Sequence, residues 1–133
     1  MPASWQTLQV QSAARIDLVD ITARVAALLP AGAEGALVLF TPHTTAALLV
    51  NEHEPGLLQD LRAWLERLAP EAEPYVHNRV DDNADAHLRA VALGPSLVVP
   101  VAGGRLALGR WQRIFLVELD GPRSRQVRLR LLA

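Results

Sequence analysis

Apolar and polar residues alternate with a period of two from Trp5 to Gln11 (Trp-Gln-Thr-Leu-Gln-Val-Gln), the mark of a strand with one buried face. Asp20 then suits the N-cap of a short helix, with Ile21, Val25, Leu28 and Leu29 along one side and Pro30 and Gly32 ending it. Residues 35–41 read as a buried strand. Residues 45–50 form a second apolar run, whose Ala and Leu content fits buried helix as well as strand. The strongest helical period covers 55–68, where Leu57, Leu58, Leu61, Trp64, Leu65 and Leu68 share a stripe and Pro55 suits the first turn. A polar, irregular stretch fills 70–82. Asn83 then caps a helix that runs through Val91 and stops at Gly94, with Asp85 in its first turn, where the helix dipole favours negative charge.

From Ser96 onward the pattern is that of strands. Residues 97–99 and 105–108 flank Ala102-Gly103-Gly104, and 114–119 and 126–131 flank Gly121-Pro122, so two successive antiparallel hairpins are expected. In the last of these strands Val127, Leu129 and Leu131 face one way and Arg128 and Arg130 the other. Mixed helices and hairpins point to an α+β fold rather than a parallel βαβ sheet. No repeat or linker divides residues 1–133, so one domain is expected.

Composition narrows the chemistry. The 133 residues include no cysteine, which removes disulfides, thiolate nucleophiles and thiolate metal sites. All 13 basic residues are arginine, which removes Schiff-base chemistry and a phosphate-binding lysine. The net charge of −1 gives no overall attraction to nucleic acid or to an anionic membrane. No apolar run nears the ~18 residues of a membrane span, and the N-terminus lacks a basic start followed by an apolar stretch. A cytoplasmic protein without nucleic-acid or membrane partners is the expectation. Charge is uneven, however: residues 1–104 carry 6 Arg against 12 acids, and residues 105–133 carry 7 Arg against 2. The basic end either meets an anion or neutralises its acidic neighbour.

The histidines at 43, 53, 77 and 87 show no local metal-ligand spacing. His43 follows Thr41-Pro42 between apolar segments, His77 lies in the irregular stretch, and His87 shares a helix face with Asn83. Two arrangements satisfy the rings at 43, 77 and 87: convergence on one cation with water completing its sphere, or separate edge positions satisfied by backbone. Asn51-Glu52 and Asp60 suit caps or surface. Trp111 suits the core, or with Gln112 the cover of a flat heterocycle. Glu118, inside an apolar run, needs a partner if buried. Arg123 and Arg125 sit in a Pro/Ser-containing segment and suit either a solvated turn or a phosphate clasp. Gly103-Gly104 lacks the following helix N-terminus that a phosphate loop requires.

Four blocks, TPHTTAALLVNEHEPGLLQDL (41–61), YVHN (75–78), NADAHLRAVALGPSLVVPV (83–101) and GRLALGRWQRIFLVELDGPRSRQV (104–127), resemble the YjbQ-like family of secondary thiamine-phosphate synthases. The opening strand and residues 15–22 fit as well, so the resemblance covers nearly the whole chain. It implies a largely antiparallel β-sandwich with two or three helices, assembled as a homotrimer. It implies a polar site containing His43, Asn51, His77, Asn83, His87, Trp111 and Gln112, with Arg123 or Arg125 gripping phosphate. It further implies that this cluster binds a divalent cation, zinc or magnesium on His43, His77 and His87, or an oxyanion, with a small phosphorylated metabolite as partner. The activity so implied joins a pyrimidine pyrophosphate to a thiazole phosphate. A non-catalytic trimeric binder and a metal-assisted hydrolase are the alternatives. Two residues depart from the family pattern: Arg110 replaces a threonine before Trp111, and Asp85 stands where many members carry histidine, which would alter the charge or ligand set of the site.

Overall fold

The computed structural model describes residues 4–133 and contains two antiparallel sheets and three α-helices. The strands are β1 (Gln6–Gln11), β2 (Asp17–Asp20), β3 (Gly35–Phe40), β4 (Ala46–Glu52), β5 (Ser96–Ala102), β6 (Arg105–Leu106), β7 (Gln112–Glu118) and β8 (Ser124–Leu132). The helices are α1 (Thr22–Ala26), α2 (Pro55–Leu68) and α3 (Ala84–Leu93). One sheet has the order β1-β8-β3-β5-β6, the other β2-β7-β4, and every pairing is antiparallel.

The smaller sheet is the middle of three layers. Ala46 and Leu48 of β4 and Ile114 and Leu116 of β7 pack against the inner face of the larger sheet, with Val10, Leu37, Leu39, Val127 and Leu129. Their alternates Ala47, Phe115 and Val117 pack against Leu65 of α2 and Ala86 and Ala90 of α3. A strand covered on both faces has no polar side to display. This is why residues 45–50 and 114–117 read as unbroken apolar runs.

Three expectations change on folding. Residues 114–119 and 126–131 do not form a hairpin: β7 lies between β2 and β4, β8 between β1 and β3. Both hydrogen-bonding edges of β7 are occupied, so the chain crosses to the other sheet at Gly121-Pro122. Asp20 ends β2, a strand the pattern did not mark, and the N-cap of α1 is Ile21 rather than Asp20; from one residue before the cap, Asp20 Oδ1 accepts hydrogen bonds from the Thr22 N–H (2.9 Å) and hydroxyl (2.7 Å). The stripe on α2 is only partly core: Leu65 is buried and Leu58 and Leu61 pack beside it, whereas Trp64 and Leu68 remain exposed. The helix itself starts at Pro55 as expected, with the Glu54 carboxylate accepting from the amides of Gly56 and Leu57 at 2.9 and 2.6 Å.

Candidate functional site

Three of the four histidines meet along one edge of the layers. His43, in the β3–β4 loop, and His87, on α3, line a cavity of about 390 Å³ with Phe40, Pro42, Ala90 and Val91. His87 also borders a second hollow of about 400 Å³ with Tyr75 and His77. The rings of His77 and His87 stand edge to face with centroids 4.7 Å apart. His77 lies on a single 3-10 turn, Val76–Arg79.

Asn83 occupies the expected N-cap position of α3, but its side chain makes no cap hydrogen bond. Asn78 Oδ1 accepts the amide of Ala84 at 3.1 Å, which frees the Asn83 side chain for the site. Its Nδ2 donates to Asp120 Oδ2 at 2.9 Å, and its Oδ1 lies 3.1 Å from His77 Nε2. A carboxylate can only accept, so the amide order is fixed, and Asn83 Oδ1 must accept from His77 Nε2–H. Neutral His77 therefore keeps its lone pair on Nδ1. Asp120 is held in turn by Arg15 Nη1 and Arg123 Nη2, both at 3.0 Å. Arg15 continues to Asp85, which also accepts from Arg89 Nη1 at 2.9 Å. Asp85 is almost wholly buried and aimed at these guanidinium groups. The departure at this position thus supplies an anion beneath the site.

The two candidate phosphate-binding arginines differ. Arg123 is half-exposed and braced by Asp120, leaving part of its guanidinium open. Arg125 is on β8, not in a solvated turn, and is buried against Glu118, to which its Nε donates at 2.9 Å and its Nη2 donates a second bond. Its Nη2 also donates to the Thr45 hydroxyl at 2.9 Å. Glu118 has its partner, then, and Arg125 is spent on it. Burial alone would raise the Glu118 pKa, but hydrogen bonds from Arg125, the Ser12 hydroxyl and the Asp120 amide hold it below the ordinary value.

His43 sits beside this pair. Its Nε2 accepts the Gln126 amide at 2.9 Å, which requires a neutral ring protonated on Nδ1. Desolvation, and next the Arg125 charge, lower its pKa and favour that neutral form. A ring in this state has no lone pair left for a cation. Among the described residues, no three histidine, aspartate or glutamate side chains are grouped to hold a metal ion. Within the described residues, His43, His77 and His87 therefore do not form the expected zinc or magnesium centre.

Asn51, Trp111 and Gln112 lie at the other end of β4 and β7, where Asn51 pairs with Arg113 and Glu52 with Gln112. Seven residues of strand at about 3.3 Å each separate them from the histidines by roughly 20 Å. Trp111 is not core: it is 62% exposed, with the Arg110 guanidinium 4.7 Å above its ring. Gln112 Oε1 accepts the Gly109 amide at 2.8 Å. Arg15 and Asp120 escaped the sequence reading because nothing local marks a residue whose partners stand 70 and 105 positions away.

No helix among the described residues is long and apolar enough to cross a membrane. The profile of the family described as "UPF0047 protein YjbQ-like" matches residues 6–133. A UPF0047 protein of Archaeoglobus fulgidus is 48% identical over 125 residues, covering 94% of this chain and 98% of that protein. YugU of Bacillus subtilis is 34% identical over 130 residues, covering 96% and 98%. Among solved structures, a hypothetical protein of Aeropyrum pernix K1 superposes with a TM-score of 0.93 at 45% identity, covering 98% of both chains. A protein of unknown function from Sulfolobus solfataricus P2 gives 0.91 at 39% identity, covering 98% of this chain and 96% of its own. The chain belongs to the YjbQ-like UPF0047 family.

Proposed function

We propose that the chain is a homotrimeric transferase of the thiamine-phosphate-synthase kind, joining a pyrimidine pyrophosphate to a thiazole phosphate as a secondary activity. One observation carries the reading: His87 stands between His43, with which it shares a cavity, and His77, whose ring it meets directly. In this reaction the thiazole nitrogen forms a bond to the pyrimidine methylene, and the carbon–oxygen bond electrons depart with pyrophosphate. Negative charge grows on the leaving oxygens, so donors fixed in advance around them lower the barrier. His43 offers Nδ1–H, Arg123 offers its open guanidinium, and His77 offers an Nδ1 that donates once protonated. No protein nucleophile is needed.

The separation of Trp111 and Gln112 from the histidines favours a site shared between subunits, the indole of one facing the imidazoles of its neighbour. Exposed Trp5, Phe40, Val98 and Leu132 supply apolar surface for such an assembly. The test is pyrophosphate release with and without the thiazole phosphate. Release only with the acceptor, and a loss in kcat of about 10²-fold in His77→Phe, which removes one of the named donors, are expected. Release without acceptor would make the protein a hydrolase; ligand binding with no product would make it a binder. Sedimentation as a monomer would refute the shared site.

A further inference from the structure

Helix α3 carries Ala84, His87, Leu88 and Val91 at the three- and four-residue spacing that puts side chains on one face. His87 stands on that face with a hollow on either side. The hollow of about 390 Å³ is walled by Phe40, Pro42, Ala46, Ala90, Val91 and Pro95, the hollow of about 400 Å³ by Tyr75, Val76, Ala84 and Leu88. Among the described residues, no carboxylate or guanidinium group lines either one; their polar side chains are imidazoles and the hydroxyls of Thr41, Thr44 and Tyr75. The three rings are engaged differently. His43 Nε2 is taken by the Gln126 amide, which leaves Nδ1–H as its free donor, and His77 gives Nε2–H to Asn83. His87 is held only by its edge-to-face contact with His77, so its neutral ring keeps a lone pair uncommitted.

A molecule that fills both hollows is apolar at its two ends and passes His87 in its middle. There it meets a neutral base and, from His43, a neutral N–H donor, the pair of groups that the carbonyl of an ester calls for when water attacks it. We propose that this edge hydrolyses uncharged carboxylic esters, with the acyl chain in the Phe40 hollow and the alcohol part in the Tyr75 hollow. The water oxygen bonds to the acyl carbon as His87 takes its proton, and the carbonyl π electrons move onto oxygen, which accepts from His43 Nδ1–H. Those electrons then return, the bond from the acyl carbon to the alcohol oxygen breaks, and the His87 imidazolium gives its proton to the leaving oxygen. Ester and water become acid and alcohol with no other reactant. This activity goes beyond the transfer reading: it acts at an acyl carbon and uses neither Arg123 nor a phosphate.

The probe is 4-nitrophenyl butyrate, added to the full chain in the presence of EDTA and followed by nitrophenolate release. Saturable hydrolysis is expected, with kcat/KM about tenfold above that for 4-nitrophenyl acetate, because two further methylene groups enter the apolar hollow. His87→Phe, which keeps a ring against His77 but has no lone pair, should lower kcat by about 10²-fold or more. His53 is the control for hydrolysis by any imidazole. At the far end of β4 its Nδ1 lies 2.8 Å from Asp20 Oδ2, an acceptor only, so the neutral ring has its lone pair on Nε2. Its surroundings are Glu52, Glu54, Arg110 and Arg113 rather than apolar walls, and His53→Gln should leave the rate unchanged. A rate that never saturates, equal kcat/KM for the two esters, an equal loss in His53→Gln, or activity abolished by EDTA would overturn the proposal. If His87→Phe fails to fold, the two-ester comparison on the unaltered chain decides. The probe contains no phosphate, so ester hydrolysis and transfer stand or fall separately.

Discussion

Replacing Arg125 with methionine tests how the buried ion pair beside His43 is balanced. Glu118 is fully enclosed and Arg125 nearly so. In the native chain the carboxylate accepts from both Arg125 groups, from Ser12 Oγ at 2.7 Å and from the amides of Leu119 and Asp120 at 3.1 and 3.0 Å. Methionine fills similar volume but leaves Glu118 with three neutral donors and no counter-charge. Breaking a buried pair on one side costs about 3–5 kcal/mol. Glu118→Leu together with Arg125→Met removes both charges and should recover most of that loss.

The pH dependence has a definite sign. In the native chain the Glu118 pKa is depressed, so the pair's contribution is present above the ordinary glutamate value and is lost as pH falls through the depressed one. In Arg125→Met the lone carboxylate has a raised pKa, so the variant's deficit is full at neutral pH and shrinks as acid protonates it. Urea denaturation followed by circular dichroism at pH 7.5 and pH 5, at one fixed protein concentration because association shifts apparent stability, measures both effects. A single-variant cost below about 1 kcal/mol, or a double variant as unstable as the single one, would refute the reasoning.

Asn83→Leu should keep the fold but disconnect His77 from Asp120; kcat for transfer should fall well beyond any change in Tm, because the side chain makes no cap bond to α3. Trp111→Ala should leave urea stability within about 0.5 kcal/mol, since the indole is exposed, while raising KM for the pyrimidine substrate. Gly35→Ala should lower Tm clearly. The residue has φ of +135°, and a Cβ there would stand 2.1 Å from the Leu132 carbonyl oxygen, so β3 and β8 would have to part; an unchanged Tm would contradict that geometry.

Local pattern determined a good deal of this protein. The period of α2 gave its start at Pro55 and its end at Leu68, and the alternation of β1 and β8 assigned their buried faces correctly, because those signals depend on neighbours within a turn or a few strand residues. The four family blocks, being sequence themselves, gave the family. The histidines at 43, 77 and 87 were marked as candidates, and they do share an edge.

Tertiary structure alone decided which strands pair and which side chains remain free to act. The 114–119 run is the centre of one sheet and the 126–131 run belongs to the other, an outcome fixed by β2 and β4 occupying both edges of β7. Arg123 and Arg125 are two residues apart in similar surroundings, yet one stays open and the other is consumed by Glu118. His43 loses its lone pair to Gln126, 83 positions away, while His53, with no role suggested by its neighbours, gains an oriented one from Asp20, 33 positions away. Hydrogen-bonding capacity is assigned by whatever the fold brings within about 3 Å, and no periodicity along the chain encodes that distance.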